Sequence, residues 1–366
     1  MLDHVPFFVI VACGFDEKTS GDAMARRPGM AALAAAAGVS VATVDRLLNG
    51  REGVAAATRM AVLEAALRIG HPAAARLTAG SGGAVPAVRF GVLLHKQGQE
   101  FYQNMAREFR AAVALLPGVK GQLDLEFAAS QSPSEVAGLL RGMAGRCDVI
   151  AATAVNHPEI TAAVEELKER GVPVFSLLSD FAQGVRAGYV GLNNLKVGRT
   201  AAWMISLSAK GSGKIALFVG GARWHGHDLR ETGFRAHLRE ERPDLEVLES
   251  IVNLETRQLT YETTLNLLGR HADLRGIYVA GGGMEGAIAA LKQARKPGEV
   301  ALVVNELTAE SRAALAQGWV TLVDATPLPD LCREVLGLMV RAVRDGGAGG
   351  AGQVFLPIQL YVAESV

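Results

Sequence analysis

The 366-residue chain is poor in cysteine and in aromatic residues, and it carries no net charge. Its cysteines, Cys13, Cys147 and Cys332, are far apart and lack Cys-x-x-Cys spacing, which predicts reduced, buried thiols. No segment reaches the roughly 18 uninterrupted apolar residues of a transmembrane helix. The apolar stretch Val5–Phe15 is short and has no Lys or Arg before it, which argues against a signal peptide. We therefore expect a cytoplasmic protein without a membrane partner.

Complete catalytic motifs are also missing. There is no Gly-x-Ser-x-Gly elbow. The segment Gly211–Lys214 resembles a phosphate loop, but the first glycine of that motif falls on Ser208 and Ile215 follows the lysine. Gly281–Gly286 fits GxGxxG, although it comes late in the chain instead of opening the first βαβ unit. His225–Asp228 has metal-binding residue types without a distant third partner. We therefore expect that the protein is not an enzyme and that it binds neither a cofactor nor a metal ion.

Apolar residues make up 49% of the chain, which is enough for two or three domains with sizeable cores. Charge is unevenly distributed along it. Residues 24–80 contain seven arginines, no lysine and three acidic residues, a balance of +4 that the remainder of the chain offsets. A small basic domain beside a mildly acidic one predicts that the basic domain contacts phosphates.

The run Gly38–Gly50 predicts the turn and second helix of a helix-turn-helix. An Ala-rich helix over Met30–Ala37 comes before it, and Gly38 permits the tight turn between the helices. Ser40 can cap the second helix by accepting a backbone N–H bond. One face of this helix is apolar and is expected to be buried through Val44, Leu47 and Leu48. The opposite face is then free to enter a DNA major groove, and a third helix follows over Ala55–Ile69.

From Val88 onward the pattern changes to alternating strands and helices. The strand-like runs are Val88–Leu94, Leu123–Phe127, Asp148–Ala152, Val172–Leu177, Lys214–Val219, Leu245–Val252, Gly276–Ala280, Val300–Val304 and Trp319–Val323. Such alternation implies parallel sheets with right-handed crossovers. Nine or more strands exceed one compact doubly wound sheet, so we expect two α/β lobes. Two short strands should follow the Gly-rich connection Asp345–Gly352, and ligands should bind at the carboxyl ends of the strands.

The N-terminal region resembles the LacI/GalR (lac repressor) family of bacterial transcription regulators. The residues that carry this resemblance are Ala34, Gly38, Val39, Ser40, Thr43, Val44, Arg46, Leu48 and Asn49, and then Thr58, Arg59, Val62, Leu63, Ala65, Ala66 and Gly70. Residues 88–366 are similar to the effector domain of that family, which has the fold of periplasmic sugar-binding proteins. The resemblance covers residues 24–366. It implies a small all-α helix-turn-helix head and an α/β effector domain of two doubly wound parallel-sheet lobes.

We accordingly expect four segments in the chain. Residues 1–27 are predicted to be a disordered extension, 28–71 the helix-turn-helix DNA-binding domain, 72–87 a hinge, and 88–366 the effector-binding domain. The predicted N-lobe takes about 88–190 and 325–352, and the predicted C-lobe about 191–324 and 353–366.

The resemblance also implies which residues contact DNA. The helix that starts near Ser40 would enter the major groove, with Val41 and Ala42 facing base edges. Arg46 would contact a guanine or a phosphate, since arginine can bond guanine bidentately. Phosphates would be contacted or positioned by Thr43, Asn49 and Thr58. For Thr58 the alternative is an ordinary residue at the start of a helix.

Two positions depart from the family pattern. Asp45 stands where the family usually has serine, and an acid near phosphates is unfavourable unless it pairs with Arg46 or Arg51. It can instead accept a hydrogen bond from cytosine N4. The hinge is shorter than usual, and Leu77 is the candidate for the leucine that wedges into the minor groove. An ordinary linker leucine would look the same.

Candidate effector-binding residues follow the ends of successive strands, where the resemblance places a cleft. They are His95, Gln99, Phe101, Tyr102, Asn156, His157, Asp180, Asn193, His227, Arg230, Glu306 and Asp324. Phe101 and Tyr102 look like a sugar-stacking pair, with helix core as the alternative. Arg230 opens the Arg-x-x-Gly-Phe motif, whose arginine donates a fork of hydrogen bonds to the ligand.

The ligand itself is less well defined by the sequence. Gly281–Gly283 stands where sugar-binding relatives usually carry an acid, which argues against plain ribose or galactose. The histidines suggest a ligand with some negative charge or a bulky polyol, unless they are structural. The sequence thus predicts a homodimeric regulator, with repression expected, that binds double-stranded operator DNA and a sugar, polyol or sugar-derivative effector. The alternatives are a periplasmic-type solute-binding protein and a nucleotide-dependent enzyme.

Overall fold

The structure, a computed structural model, describes residues 28–49, 51, 54–74, 77, 86–221, 223–346 and 352–366. The chain divides into two compact units, Met1–Val85 and Pro86–Val366, called the head and the body below. The boundary between them falls inside the predicted hinge. The predicted extension over residues 1–27 and residues 78–85 of that hinge lie outside the described residues.

The head begins with helices α1 Met30–Ala37, α2 Val41–Leu48 and α3 Ala56–Arg68. Gly38 ends α1 at a φ of 66°, in the left-handed region that glycine adopts without strain. Ser40 caps α2, because its hydroxyl accepts a hydrogen bond from the Thr43 amide at 3.1 Å. The apolar stripe of α2 then packs on the other two helices, in a core that includes Leu33, Val44, Leu47, Val62 and Ala66. The predicted helix-turn-helix is confirmed.

Strands and helices alternate along the body, as predicted. The strands are β1 Ala87–His95, β2 Lys120–Ala128, β3 Val149–Ala152, β4 Val174–Leu177, β5 Gly188–Leu192, β6 Gly213–Val219, β7 Leu245–Val247, β8 Ile251–Val252, β9 Leu274–Val279, β10 Ala301–Asn305, β11 Leu322–Ala325, β12 Gly352–Leu356 and β13 Gln359–Tyr361. The helices are α4 Glu100–Ala114, α5 Pro133–Met143, α6 Pro158–Glu169, α7 Asn194–Ser208, α8 His225–Glu241, α9 Arg257–Arg270, α10 Met284–Ala294, α11 Ala309–Ala316 and α12 Leu328–Arg344, and a short 3₁₀ helix, Ala363–Ser365, closes the chain.

These strands form two sheets, one in each lobe. The N-lobe sheet has the order β12-β5-β4-β3-β1-β2 and is parallel throughout. The C-lobe sheet has the order β13-β11-β10-β9-β6-β7, with β8 also on β6, and only its edge strand β13 runs antiparallel. In β1, Phe90 and Val92 belong to one core and Leu93 to another. Both faces of the N-lobe sheet are therefore covered, which confirms the two-lobed, doubly wound fold.

The structure corrects three details of the sequence-based topology. β5 had not been predicted as a strand, although all five of its residues are buried. The single strand predicted over Leu245–Val252 is two short strands, β7 and β8. β12 pairs in parallel with β5, so residues 353–356 belong to the N-lobe and the predicted lobe boundary at 353 is wrong. The chain crosses to the C-lobe again only after Leu356.

None of the described helices is by itself long and apolar enough to cross a membrane. Helices α1 and α2 pass that test only when taken together, and they are bent by 108° at the break between them.

Helices α7 and α8 meet at two glycines. An added Cβ on Gly198 would lie 1.9 Å from the carbonyl oxygen of Arg230, and one on Gly233 would lie 2.1 Å from that of Leu195. The two backbones therefore touch where other residue types would hold them apart. This contact fixes the turn of α8 that carries Arg230 against the start of the C-lobe.

We predict that Gly198→Ala lowers the free energy of unfolding by about 2 kcal/mol, because the new methyl group must push two packed helix backbones apart. The matched control is Gly269→Ala in α9, where an added Cβ meets no atom within 4 Å. That variant should be unchanged or slightly more stable, since alanine suits a helix better than glycine. Urea denaturation measures both, and equal stabilities would contradict the predicted backbone contact.

Candidate DNA-contacting helix and ligand cleft

Helix α2 presents an exposed face on the side away from the head core. Val41 is 46% exposed, and Ala42 and Arg46 are exposed as well. Thr43 is half-buried, and its hydroxyl lies 2.8 Å from that of Ser40 at the start of the helix. The residues that the sequence assigned to base edges are thus the ones that the core leaves uncovered. Such an arrangement suits insertion of the helix start into a DNA groove.

Asp45 is held within the head by neighbours other than Arg46. Its Oδ1 accepts a hydrogen bond from Asn49 Nδ2 at 2.8 Å, and its Oδ2 lies 3.9 Å from Arg51 Nη1. The sequence left two roles open for Asp45: pairing with an arginine, or accepting a hydrogen bond from cytosine. The position of Arg51 favours pairing, because its positive charge partly offsets that of the carboxylate. Asn49 ends α2 and uses its amide on Asp45, so a phosphate contact of that amide needs the bond to Asp45 to open.

The two remaining predicted DNA contacts lie deeper in the head. Thr58 is half-buried in the first turn of α3, which fits its alternative reading as a residue at a helix start. Leu77 is 3% exposed and packs in the head core with Ala73. Because burial against this core removes its apolar side chain from water, Leu77 in this conformation covers the head and is not presented to a minor groove.

The body contains a cavity of about 400 Å³ between its lobes. This volume is in the range of small-molecule binding sites. Six of the predicted effector contacts line it: Gln99, Phe101, Tyr102, His227, Arg230 and Glu306. The first three come from the N-lobe and the last three from the C-lobe, so a ligand in this cleft would touch both lobes.

Arg230 projects from α8 to the base of the cleft and is 7% exposed. Its Nε donates to Asn194 Oδ1 at 2.8 Å, and its Nη1 donates to the carbonyl oxygen of Ala280 at 2.7 Å. These bonds fix the guanidinium between α7 and the end of β9. The prediction that Arg230 belongs to the cleft is consistent with this position.

Asn156, His157, Asp180 and Asn193 do not reach the cleft. Asn156 and His157 line a separate shallow hollow, where the His157 ring caps α6 by accepting from the Glu159 amide. Asn193 caps α7 by accepting from the Lys196 amide, and its neighbour Asn194 faces the cleft instead. The carboxylate of Asp180 is buried and accepts hydrogen bonds from Ser176, Gln183, Arg186 and Gln353. It therefore ties β12 to β4 rather than binding a ligand.

His95 and Asp324 lie behind the cleft wall. The His95 ring is buried and meets the rings of Tyr102 and Trp224 edge-on, at centroid distances of 6.1 and 5.6 Å. The Asp324 side chain is fully buried, and its backbone carbonyl accepts from the Glu306 amide at 2.7 Å. Burial raises the pKa of Asp324 to about 8 against the opposing charge of Arg230, with Glu306 adding to the rise. Asp324 is then largely protonated at neutral pH.

Sequence reasoning missed several residues that line the cleft: Thr153, Asn194, Trp224, Glu255, Arg257, Glu285 and Asn305. Glu255 lies three residues after β8, in the loop after the predicted strand Leu245–Val252, and the candidate contacts included no residue from that loop. Trp224 and Glu285 lie at or beside the first turns of α8 and α10. Residues at helix starts after each strand were the available signal, because those turns surround the carboxyl edge of a parallel sheet.

Glycines make room for a carboxylate at this edge. An added Cβ would lie 3.0 Å from Glu255 Oε1 at Gly281 and 2.9 Å from Glu255 Cβ at Gly282. Glu255 and the preceding Leu254 both have positive φ, 54° and 51°, which is unusual for residues other than glycine. The run of glycines that lacks an acid of its own therefore accommodates an acid from another loop, and local backbone strain is tolerated to place it there.

Lys96 and Gln99 of the N-lobe reach across to the same loop. Lys96 Nζ donates to the Leu254 carbonyl at 2.6 Å and lies 3.4 Å from Glu255 Oε2, while Gln99 Nε2 donates to the Glu255 carbonyl at 3.1 Å. On the other side His227 Nε2 lies 3.8 Å from Glu255 Oε1. Burial lowers the pKa of His227 to about 4, so this ring is neutral at physiological pH. The contacts of Lys96 and Gln99 hold the two lobes together on one side of the cleft.

Known protein families match both the head and the body. The family model described as periplasmic binding protein domain matches residues 90–346, and the model described as bacterial regulatory proteins, lacI family, matches residues 30–71. The chain is 32% identical over 166 residues to the HTH-type transcriptional regulator MalR of Streptomyces coelicolor and 33% identical over 166 residues to the HTH-type transcriptional regulator reg1 of Streptomyces lividans. Each match covers 44% of this chain, which spans 45% of the length of either relative.

Solved structures share the fold of the body. A periplasmic solute binding protein from Actinobacillus succinogenes with bound D-allose has a TM-score of 0.69 and 17% identity, over 76% of this chain and 98% of that one. The glucose-galactose binding protein GanP from Geobacillus stearothermophilus has a TM-score of 0.69 and 17% identity, over 76% and 99% of the two chains. At these identities the likeness shows the fold alone.

The body is thus a ligand-binding domain of the periplasmic-binding-protein class. The chain belongs to the periplasmic binding protein domain family over residues 90–346 and carries a lacI-family head over residues 30–71, which confirms the resemblance to the LacI/GalR family.

Two valines on α2 test which face of that helix is buried. We predict that Val44→Ala, which removes fully buried methyl groups, lowers the free energy of unfolding of the head by about 2 kcal/mol. Val41→Ala makes the same chemical change on the exposed face of the helix and should alter stability by less than about 0.5 kcal/mol. Hydrogen exchange of the head amides in the full chain measures both. A larger loss of protection in Val41→Ala would contradict the assignment of faces.

Proposed function

We propose that this chain is a sequence-specific, DNA-binding transcriptional regulator of the cytoplasm, acting as a homodimeric repressor, whose operator affinity is controlled by a small polyhydroxy effector. The observation that carries the proposal is the combination in one chain of α2, with its exposed outer face that carries Arg46, and a cleft of ligand size in the body. One unit has the form of a DNA reader and the other has the form of a small-molecule receptor.

The head supplies the DNA contacts in this proposal. Val41 and Ala42 face base edges, Arg46 binds a guanine or a nearby phosphate, and Ser40 and Thr43 position the start of α2 on the backbone. A single short helix reads only a few base pairs, so high specificity needs two heads on adjacent half-sites. A homodimer on a pseudo-palindromic operator follows from that requirement.

The body supplies the response to the effector. A ligand held between Tyr102 of the N-lobe and Arg230 of the C-lobe stabilises one relative arrangement of the lobes. Ligand binding can change operator affinity only if that arrangement also differs in its affinity for DNA. The names of the relatives MalR and reg1, both HTH-type transcriptional regulators, support this assignment of roles.

A periplasmic-type solute carrier is the main alternative, because the body has the fold of sugar-binding proteins such as GanP. The lacI-family head favours the regulator, since a carrier has no use for a helix with an exposed, arginine-bearing outer face. Cell fractionation separates the two, and recovery of the chain from a periplasm would overturn the regulator. The fold gives an enzyme no support, because both matched families are named as binding or regulatory proteins.

Arg46 provides the direct test of DNA reading. We predict that Arg46→Ala weakens binding to an operator, enriched from randomised duplexes with the wild-type chain, by roughly tenfold to a hundredfold. The reason is the loss of a bidentate or phosphate contact, while Arg46 is exposed and its removal leaves the fold intact.

The matched control is Arg141→Ala in the body, which removes the same charge from an exposed ion pair with Glu166. Fluorescence anisotropy at fixed salt gives the dissociation constants of all three proteins. Wild-type affinity in Arg46→Ala, or an equal loss in Arg141→Ala, would overturn the proposed reading helix.

A further inference from the structure

We propose that the ligand of the cleft is a small hydroxylated organic cation, namely a protonated amine on a sugar or polyol skeleton. The inference rests on the proposed function only in taking the cleft as the effector site. It names the charge class of that effector, which the fold alone leaves open.

The walls of the cleft carry more carboxylates than cations. Four glutamates line the cleft: Glu100, Glu255, Glu285 and Glu306. Two arginines, Arg230 and Arg257, line it as well. Arg257 is exposed, with its Nη1 3.5 Å from Glu310 outside the cleft, and Lys96 is engaged by Glu255. Because the His227 ring is neutral at physiological pH, the carboxylates that line the cleft outnumber its cations by four to two.

Two of these carboxylates, Glu306 and Glu285, line the cleft from the C-lobe. Glu306 is fixed by Thr326, whose hydroxyl and amide donate to its two oxygens at 2.7 and 2.9 Å, and it adopts a positive φ of 70°. Burial raises the pKa of Glu306, while the hydrogen bonds from Thr326 and the charge of Arg230 oppose the rise, so a further cation beside this carboxylate would favour its ionised form. Burial also raises the pKa of Glu285, in the first turn of α10. A bound ammonium would provide the missing positive charge.

Aromatic rings face the same space. Phe101, Tyr102 and Trp224 all line the cleft, and the rings of Phe101 and Tyr102 meet edge to face with centroids 5.2 Å apart. The negative face of an aromatic ring attracts an organic cation, and it also stacks on the C–H face of a sugar ring. Aromatic rings together with carboxylates favour an amine-bearing ligand over either a metal ion or a neutral sugar.

The walls also hold polar atoms that await a partner. Trp224 Nε1 and Thr153 Oγ1 belong to residues only 5% and 2% exposed, and neither atom has a hydrogen-bond partner within the described structure. Buried donors and acceptors are normally satisfied, and these two atoms have almost no exposed surface, so a ligand in the cleft would bond them only when the side chains of the wall move around it. An indole N–H and a hydroxyl are suited to ligand hydroxyl groups, which is why the cation should be hydroxylated.

The same charges argue against an anionic effector, which the histidines had suggested in the sequence. Arg230 already donates a hydrogen bond from Nε to Asn194 and one from Nη1 to the Ala280 carbonyl. Its positive charge also interacts with the carboxylate of Glu306. A sugar acid or sugar phosphate would meet four glutamates, while Nε and Nη1 of Arg230 are already bonded to the protein. The electrostatic balance of the cleft therefore selects against negative charge.

Calorimetric titration of the full chain with matched ligands tests the charge class. One series contains D-glucosamine, N-acetyl-D-glucosamine, D-glucose and D-gluconate; the others pair D-galactosamine with D-galactose and N-methyl-D-glucamine with D-sorbitol. In at least one series the amine should bind at least tenfold more tightly than its neutral partner, and gluconate should not bind. Binding of no amine in any series, or a neutral or acidic compound that binds as tightly as the matched amine, would overturn the proposal.

Charge-neutral variants then locate the ammonium. Glu306→Gln and Glu285→Gln keep the size of the side chain and should each weaken amine binding by roughly tenfold, with little effect on the neutral partner. Because Glu306 also holds Thr326, its variant is checked by thermal melting, and Glu285→Gln keeps the test valid if that variant does not fold. Glu240→Gln, which breaks an exposed ion pair with Arg199 on the same lobe, should bind as the wild type does. Unchanged amine preference in both cleft variants would overturn the assignment.

The two proposals fail in different ways. Operator binding that depends on Arg46, combined with no preference for amines, would overturn the ligand class and leave the regulator standing. A clear amine preference without any operator recognition would leave the ligand class standing and overturn the regulator.

Discussion

A permanently charged guanidinium, buried at the base of the cleft, is the constraint on which the body depends. Burying the charge of Arg230 is costly unless hydrogen bonds and opposite charges compensate it. Asn194 and the Ala280 carbonyl accept two of its bonds and Glu306 lies within its electrostatic influence, whereas burial keeps the neighbouring Asp324 largely protonated. These partners come from α7, from the end of β9 and from the strand ends beyond it. One side chain therefore joins the elements that form the C-lobe wall of the cleft.

The backbone geometry around this group follows from the same requirement. Gly198 and Gly233 bring α7 and α8 into direct contact, which places Arg230 beside Asn194. Gly281 and Gly282 leave room for Glu255, whose loop accepts hydrogen bonds from Lys96 and Gln99 of the other lobe. The charged base of the cleft and the bridge between the lobes are thus adjacent. A ligand that contacts the charged base of the cleft can therefore also change the bridge between the lobes. This is the physical basis for coupling between ligand binding and the relative arrangement of the two lobes.

The sequence predicted those features that depend on local signals. The breaks at Gly38 and Gly70 and the cap at Ser40 act within a few residues, so the helices of the head were placed within one or two residues. The missed features depend on contacts between distant segments. The pairing of β12 with β5 decides which lobe residues 353–356 join, and hydropathy does not encode that register. Glu255 fits beside the cleft because Gly281 and Gly282, 26 and 27 positions further along the chain, leave space for it. The sequence placed Asn193 in the cleft, but Asn194 lines it instead. Asn193 caps α7, so its side chain turns back onto the backbone of its own helix.

The most direct measurement of the central claim is the operator affinity of the full chain with its cleft empty and with its cleft filled. Fluorescence anisotropy of a labelled operator, titrated in the absence and presence of the cleft ligand identified by calorimetry, gives both dissociation constants. The account predicts that they differ by roughly 5- to 150-fold, and that Arg230→Ala removes the difference. Equal operator affinities of the empty and the filled protein would contradict it.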